Sequence, residues 1–231
     1  MTRAVAIETS GRIGSIAVVA DARVISEVTF PHGLQHAAQI VRILDHETRQ
    51  AGWLPGQIDH LHVSVGPGSF TGLRIAVTLA KTMSLATGVK LVAVPTVRVL
   101  VENAPVEARR ALIVLDAKRG QIFTAAFERS ADAADWIESE PAHLDTLAAM
   151  LARSPRPVHV VGEGIPYHRS AIGPGDQGVV VTPEESWRAR ASVVAKIGAQ
   201  MAMRGEFADP LQLAPIYIRL PEAEEKWAAR I

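Results

Sequence analysis

The chain of 231 residues contains no cysteine, which excludes disulfides, thiol nucleophiles and thiolate metal sites together and suits a reducing compartment. Neither sign of charge prevails. Lys and Arg (24) balance Asp and Glu (24), so there is no global basic field to capture nucleic acid by counterion release, and an RNA-related role would lean on a partner. No apolar run approaches the roughly 20 residues that cross a bilayer, and Met1-Thr2-Arg3 enters a strand-like run with no signal-peptide pattern. A soluble cytoplasmic protein is expected. Standard catalytic motifs are missing too: no Gly-Lys-Ser/Thr closes a Walker loop, and no Gly-x-Ser-x-Gly elbow presents a nucleophile.

What is present is ordinary core material, 48% hydrophobic, enough for one substantial core or two small lobes sharing an interface. Three β-like runs open the chain, Ala4 to Thr9, Ser15 to Ala20 and Val24 to Phe30, separated by turn residues; they predict an antiparallel meander. Helical spacing follows over Leu34 to Gln50, then a strand at Leu61 to Val65, a helix from Phe70 to Ala86 ended by Gly88, and a strand at Leu91 to Val94. A second unit starts near Arg110. There Ala111 to Asp116 passes through Lys118-Arg119-Gly120 into Ile122 to Glu128, echoing the opening of the chain: an apolar strand ends in an acid (Glu8, Asp116), turns at a basic residue and glycine, and re-enters a strand. Such duplication predicts two units packed around a cleft. A helix over Leu144 to Leu151, strands at Val158 to Val161 and Val179 to Val181, and a helix over Ala191 to Met203 complete the second unit. The expected division is 1–100 and 101–231, the latter with a C-terminal tail.

Between the strand at Leu61 and the helix at Phe70 lies Gly66-Pro67-Gly68-Ser69-Phe70-Thr71-Gly72-Leu73-Arg74. Glycine permits a sharp turn and close backbone approach, so the loop either aims amides and a helix N-terminus at an anion or forms a tight packing corner. It lacks the third glycine of a dinucleotide fingerprint, since Thr71 stands there. Glu8 and Asp116 at two strand ends could hold magnesium through water or could simply order their own turns. His32 and His36 are one turn apart, but Gly33 at the helix start, no intervening glutamate and no placed third ligand argue against zinc. Ser69 is assigned to turn geometry.

The nine-residue run resembles the signature of the TsaB family of tRNA threonylcarbamoyladenosine biosynthesis proteins. So do Val5-Ala6-Ile7-Glu8-Thr9-Ser10, Asp116 to Phe123, Gly162-Glu163-Gly164 and Pro215-Ile216-Tyr217-Ile218-Arg219, in the family's order. The resemblance implies an α/β protein with a duplicated actin-like ATPase (ASKHA) fold of two βββαβα-type lobes. It implies a subunit with no catalytic or metal residues of its own, required for threonylcarbamoyladenosine formation at the adenosine next to the anticodon, which binds a TsaD-like transferase, acts with a TsaE-like ATPase and meets tRNA indirectly. TsaD carries a metal-binding His-x-x-x-His whose places fall here near Thr96 and Leu100, neither of them a ligand. The two early helices are the implied partner surface, for TsaD or a second copy in a homodimer, with Leu34, His36, Ile40, Leu73, Val77 and Lys81 as candidates. Glu8 and Asp116 become remnants of a nucleotide site. No tightly bound cofactor is expected, with ATP or ADP at the complex interface as the possibility the resemblance leaves. The rival reading is an independent magnesium-dependent ATPase or kinase of the same superfamily, built on Glu8, Asp116 and the Gly66 to Gly72 turn.

Overall fold

The computed structural model describes residues 1–31, 36–130, 135–173 and 175–219, with backbone alone at 36–38. The opening meander forms as expected: β1 (Arg3–Glu8), β2 (Ile13–Ala20) and β3 (Arg23–Pro31) pair antiparallel. Helix α1 (His36–Gln50) leads to β4 (His60–Ser64), α2 (Phe70–Thr87) and β5 (Lys90–Val94), and the two later strands run parallel to β1. The sheet order is β3-β2-β1-β4-β5.

The second half repeats this order. Strands β6 (Arg110–Ile113) and β7 (Leu115–Asp116) are two pieces of one edge-to-edge partner for β8 (Ile122–Glu128), β9 (Ile137–Asp145) pairs β8 on its far side, and β10 (Val158–Val161) and β11 (Val179–Val181) add in parallel beside β6. Read across, β9-β8-β6/β7-β10-β11 matches β3-β2-β1-β4-β5 position for position.

Alternation along β1 divides the first core. Val5 and Ile7 face α1 and α2 with Ile40, Leu61, Val63, Ala76 and Val77. Ala4 and Ala6, with Ala17 and Val19, face α6 (Ala191–Met203) from the other lobe's end of the chain. Small residues on that face let the helix sit close. The N-terminus of α6 is capped by the first sheet, since the Ala191 amide donates to Ser15 Oγ at 2.8 Å and the Ser192 amide to Glu27 Oε1 at 2.9 Å. A carboxylate and a hydroxyl from another element thus satisfy orphan amides where the helix's positive end lies.

One stretch departs from the expected pattern, and two helices arise where none is expected. Leu144 and Asp145 end strand β9 rather than open a helix; α4 starts at Leu147–Arg153, capped by Thr146 Oγ1 accepting from the Ala149 amide at 3.2 Å. Charges and Pro141 hide β9 as a strand in sequence, and the structure tolerates them because it pairs on one side only. Residues Thr96–Val101, a β-branched run for which no element is expected, form helix α3, because Val97, Leu100 and Val101 complete the core against β6 and β8. Tertiary burial overrides propensity there. The short α5 (Ile165–His168) likewise follows no strong periodic signal.

Candidate functional site between the lobes

The carboxyl ends of β1, β4, β7 and β10 converge on one cleft of about 940 Å³. This is where parallel α/β sheets place ligands, because the crossovers leave a crevice beyond those strand ends. Its walls are the turn Ser10-Gly11-Arg12, the loop Pro67 to Phe70, the strand end Leu115 to Lys118, Glu163 and Tyr167, and the chain segment Ile216 to Arg219.

The glycine-rich loop is bound to the first turn rather than open to the cleft. The Ser69 amide donates to the Ser10 carbonyl at 2.7 Å, and Thr9 Oγ1 donates to the Gly72 carbonyl at 2.9 Å. Ser69 caps α2, its Oγ accepting from the Gly72 amide at 3.3 Å, while the Leu73 amide bonds the Ser69 carbonyl. The glycines are dictated by distance: a Cβ on Gly68 would lie 2.5 Å from the Ser10 carbonyl oxygen, and one on Gly72 2.0 Å from that of Thr9. Of the two readings of this loop, the geometry favours the packing corner. The second lobe repeats it, since a Cβ on Gly164, just past β10, would lie 2.6 Å from the Asp116 amide.

Glu8 and Asp116 occupy unlike surroundings. Glu8 is fully buried at the end of β1. Burial pushes its carboxyl above the ordinary glutamate range against hydrogen bonds from Ser10 and Ser64. Asp116 borders the cleft, with Lys118 Nζ at 2.6 Å and His168 Nε2 at 3.2 Å. Burial raises Asp116, but the Lys118 and His168 hydrogen bonds and the Lys118 charge together hold it below the ordinary aspartate range. The magnesium nucleotide of actin-like ATPases does not fit these residues: one carboxyl is sealed from the cleft, the other already carries a cation, and the Ser69, Gly72 and Leu73 amides are spent inside the chain. Removing the buried ionisation has a testable sign. The Glu8 effect favours folding at low pH and is lost as pH rises through the raised value. Glu8→Gln, which keeps an acceptor for Ser10, is therefore expected to melt above wild type at pH 8 and alongside it at pH 4 in a pH series of thermal scans.

The C-terminal segment, marked in the sequence by the run Pro215 to Arg219 of the family resemblance, is a strap. The Ile216 amide donates to the Val65 carbonyl at 2.7 Å, and Lys81 Nζ on α2 reaches the Leu211 and Leu213 carbonyls at 3.3 and 3.2 Å. Across the cleft, Arg219 bonds the Ala117 carbonyl and Gln121 Oε1. Arg74 Nε donates to the Tyr217 hydroxyl at 2.9 Å, and its guanidinium lies 3.8 Å over the Phe70 ring. At Tyr167 in the second unit, Arg12 from the β1–β2 turn of the first and Lys118 from the second stand 5.0 and 5.4 Å from the ring centre.

The remaining expected residues are placed as follows. Ile40, Leu73 and Val77 are buried in the chain's own first core or beside it, and Lys81 holds the strap. Thr71 and Arg74 are exposed on α2. Leu34, and the side chain of His36, lie outside the described residues, as do His32 and the tail beyond Arg219. Thr96 is buried with its hydroxyl 2.7 Å from Ser64 Oγ, and Leu100 lies in the second core. Among the described residues no cluster of His, Asp or Glu could hold a metal, and no helix is long and apolar enough to cross a membrane.

Comparison with known proteins gives a consistent result. The family model described as "TsaD: tRNA N6-adenosine threonylcarbamoyltransferase" matches residues 31–164. The chain is 29% identical to the tRNA threonylcarbamoyladenosine biosynthesis protein TsaB of Bacillus subtilis over 96% of both chains. It is 24% identical to the protein of the same name from Escherichia coli, over 80% of this chain and 81% of that one. Among solved structures, YeaZ from Pseudomonas aeruginosa superposes with a TM-score of 0.79 at 20% identity, over 94% of this chain and all of that one. The ethanolamine utilization protein EutJ from Carboxydothermus hydrogenoformans reaches 0.50 at 10% identity, over 86% and 91%. The two sheets in matching order are thus a duplicated actin-like fold.

Proposed function

The chain belongs to the TsaD family and is TsaB/YeaZ-like within it, and from that premise we propose that it is a non-catalytic subunit in the formation of N6-threonylcarbamoyladenosine on tRNA. In this reading it binds and orients a TsaD-like transferase, works with a TsaE-like ATPase, pairs with itself when alone, and does so in the cytoplasm as two lobes divided near residue 100. The observation that carries it is the filling of both positions where the transferase is expected to carry metal-binding histidines: Thr96 is a buried hydrogen-bonded hydroxyl and Leu100 a core side chain. The fold is kept while the chemistry is given up.

The outer faces of α1 and α2 offer the docking surface. Val41 is 50% exposed and Leu85 66%, with Thr78 and Thr82 exposed on the same face of α2 as Leu85. By contrast Ile40, Leu73 and Val77 act from beneath, shaping the helices from the core. Co-purification with the TsaD-like protein of the same organism tests this. Val41→Glu and Leu85→Glu are expected to weaken a one-to-one complex at least about tenfold while leaving the melting temperature unchanged, as charges desolvated at an interface do. Tenfold is about 1.4 kcal/mol. Ile40→Glu and Leu73→Glu should instead unfold the free chain. Modification of tRNA by the purified chain without a transferase, or no complex at all, would sink the proposal.

A further inference from the structure

The cleft gathers side chains that a neutral, aromatic-poor chain has few of. Both of its tyrosines, Tyr167 and Tyr217, line it. Their exposures are 49% and 39%, and Phe70 beside them is also 39% exposed. Each ring carries a cation: Arg74 on the Phe70 and Tyr217 pair, Arg12 and Lys118 on Tyr167. The carboxylates facing this space are Asp116, held by Lys118 and His168, and Glu163, whose Oε2 accepts the Arg12 amide at 2.9 Å. Cationic side chains outnumber carboxylates along the walls, four to two with Arg219 included.

Two ring-and-cation sets, one on Phe70 and Tyr217 and one on Tyr167, line the same cleft and form a repeated pattern of flat apolar face and positive charge. A single small anion would use one set. A strand whose flat bases alternate with phosphates uses both, and only an unpaired strand can offer base faces to the rings. The amides and carboxylates that would cradle a magnesium triphosphate are already engaged, which removes the superfamily's usual ligand as the occupant. We propose that this cleft is a metal-independent site for single-stranded RNA, with bases stacked on Phe70, Tyr217 and Tyr167 and phosphates met by Arg12, Arg74 and Lys118. The choice of RNA over another flat anionic polymer rests on the tRNA-modification reading. The volume of about 940 Å³ accommodates a short unstacked segment such as part of a tRNA loop, and not a duplex.

The test is fluorescence anisotropy of the full chain with a labelled oligoribonucleotide copying a tRNA anticodon loop, in EDTA and low salt. Binding is expected without metal and is expected to weaken with added salt. Tyr217→Ala and Arg74→Ala should each weaken it about tenfold, within the worth of one stacked base, whereas Tyr217→Phe keeps the ring and most of the affinity. Lys118→Asn removes a charge from an exposed turn in left-handed backbone that asparagine tolerates (φ 63°), so it serves even if Tyr217→Ala loses its fold in thermal melts. Val180→Ser on β11, far from the cleft walls, should leave binding unchanged. The proposal is overturned by absent binding, by undiminished binding in folded Arg74→Ala and Lys118→Asn, by AMP competing as well as the oligonucleotide, or by polyglutamate doing so. None of these outcomes bears on complex formation with the transferase, which is scored separately by co-purification.

Discussion

Gly72→Ala is expected to cost the protein about 3 kcal/mol or more, a large share of the marginal stability of a folded domain. The new methyl would be placed 2.0 Å from the Thr9 carbonyl oxygen, and neither partner can yield cheaply. Thr9 is fixed on its own side by the hydrogen bond of its hydroxyl to the Gly72 carbonyl, and α2 is fixed by the Ser69 cap on the Gly72 amide. Relief means moving the helix off the sheet, which opens the core formed by Val63, Val65, Ala76 and Val77. Overpacking against side chains typically costs about 1–3 kcal/mol; backbone against backbone has fewer ways to relax. Gly56 is the control, with nothing within 4 Å of a built Cβ, and its alanine variant should unfold at nearly the wild-type urea concentration. If Gly72→Ala unfolds there too, the packing-corner account of the signature loop is wrong.

Acid lability centred on His62 is the second large effect. His62 is buried on β4 against α6, where a Cβ on Gly198 would lie 2.4 Å from its Cγ. Burial, aided by the nearby His60, lowers its pKa from 6.5 to about 4. The unfolded chain therefore takes up the proton first as pH falls. Stability due to the neutral ring is present above about pH 6.5 and is lost progressively down to about pH 4, in total up to about 3 kcal/mol. Glu8 acts with the opposite sign, so the clean readout is the difference between wild type and His62→Leu across a pH series of denaturant melts. The variant should lack this loss. Parallel curves for the two proteins would contradict the assignment.

All the strands but β9, the long helices and the duplication were legible because each is written in neighbouring residues: alternation in Val5 to Ile7, helical spacing through α2 and α6, glycine at a turn. The signature loop was legible too, and its nine residues carried the family resemblance without help from the fold. Its physical task was not. That Gly68 and Gly72 lean on Ser10 and Thr9 depends on residues some sixty positions away being brought within contact.

The same limit explains the partner helices. Apolar positions at helical spacing predict a broad apolar band, but Ile40 and Val41, equally apolar neighbours, differ in rotation about the helix axis, and only the packed sheet chooses the buried one. Lys81 is expected at the partner surface, but in the fold it turns to the strap, where Leu211 and Leu213 offer it their carbonyls. The sequence by itself determined most of the strands, the long helices, their order and the family resemblance, but not β9, α3 or α5. The tertiary structure decided which faces are free, how Glu8 and Asp116 differ, and that Arg12, Phe70, Arg74, Tyr167 and Tyr217 share one cleft, because burial and long-range approach are properties of the assembled chain rather than of any local run.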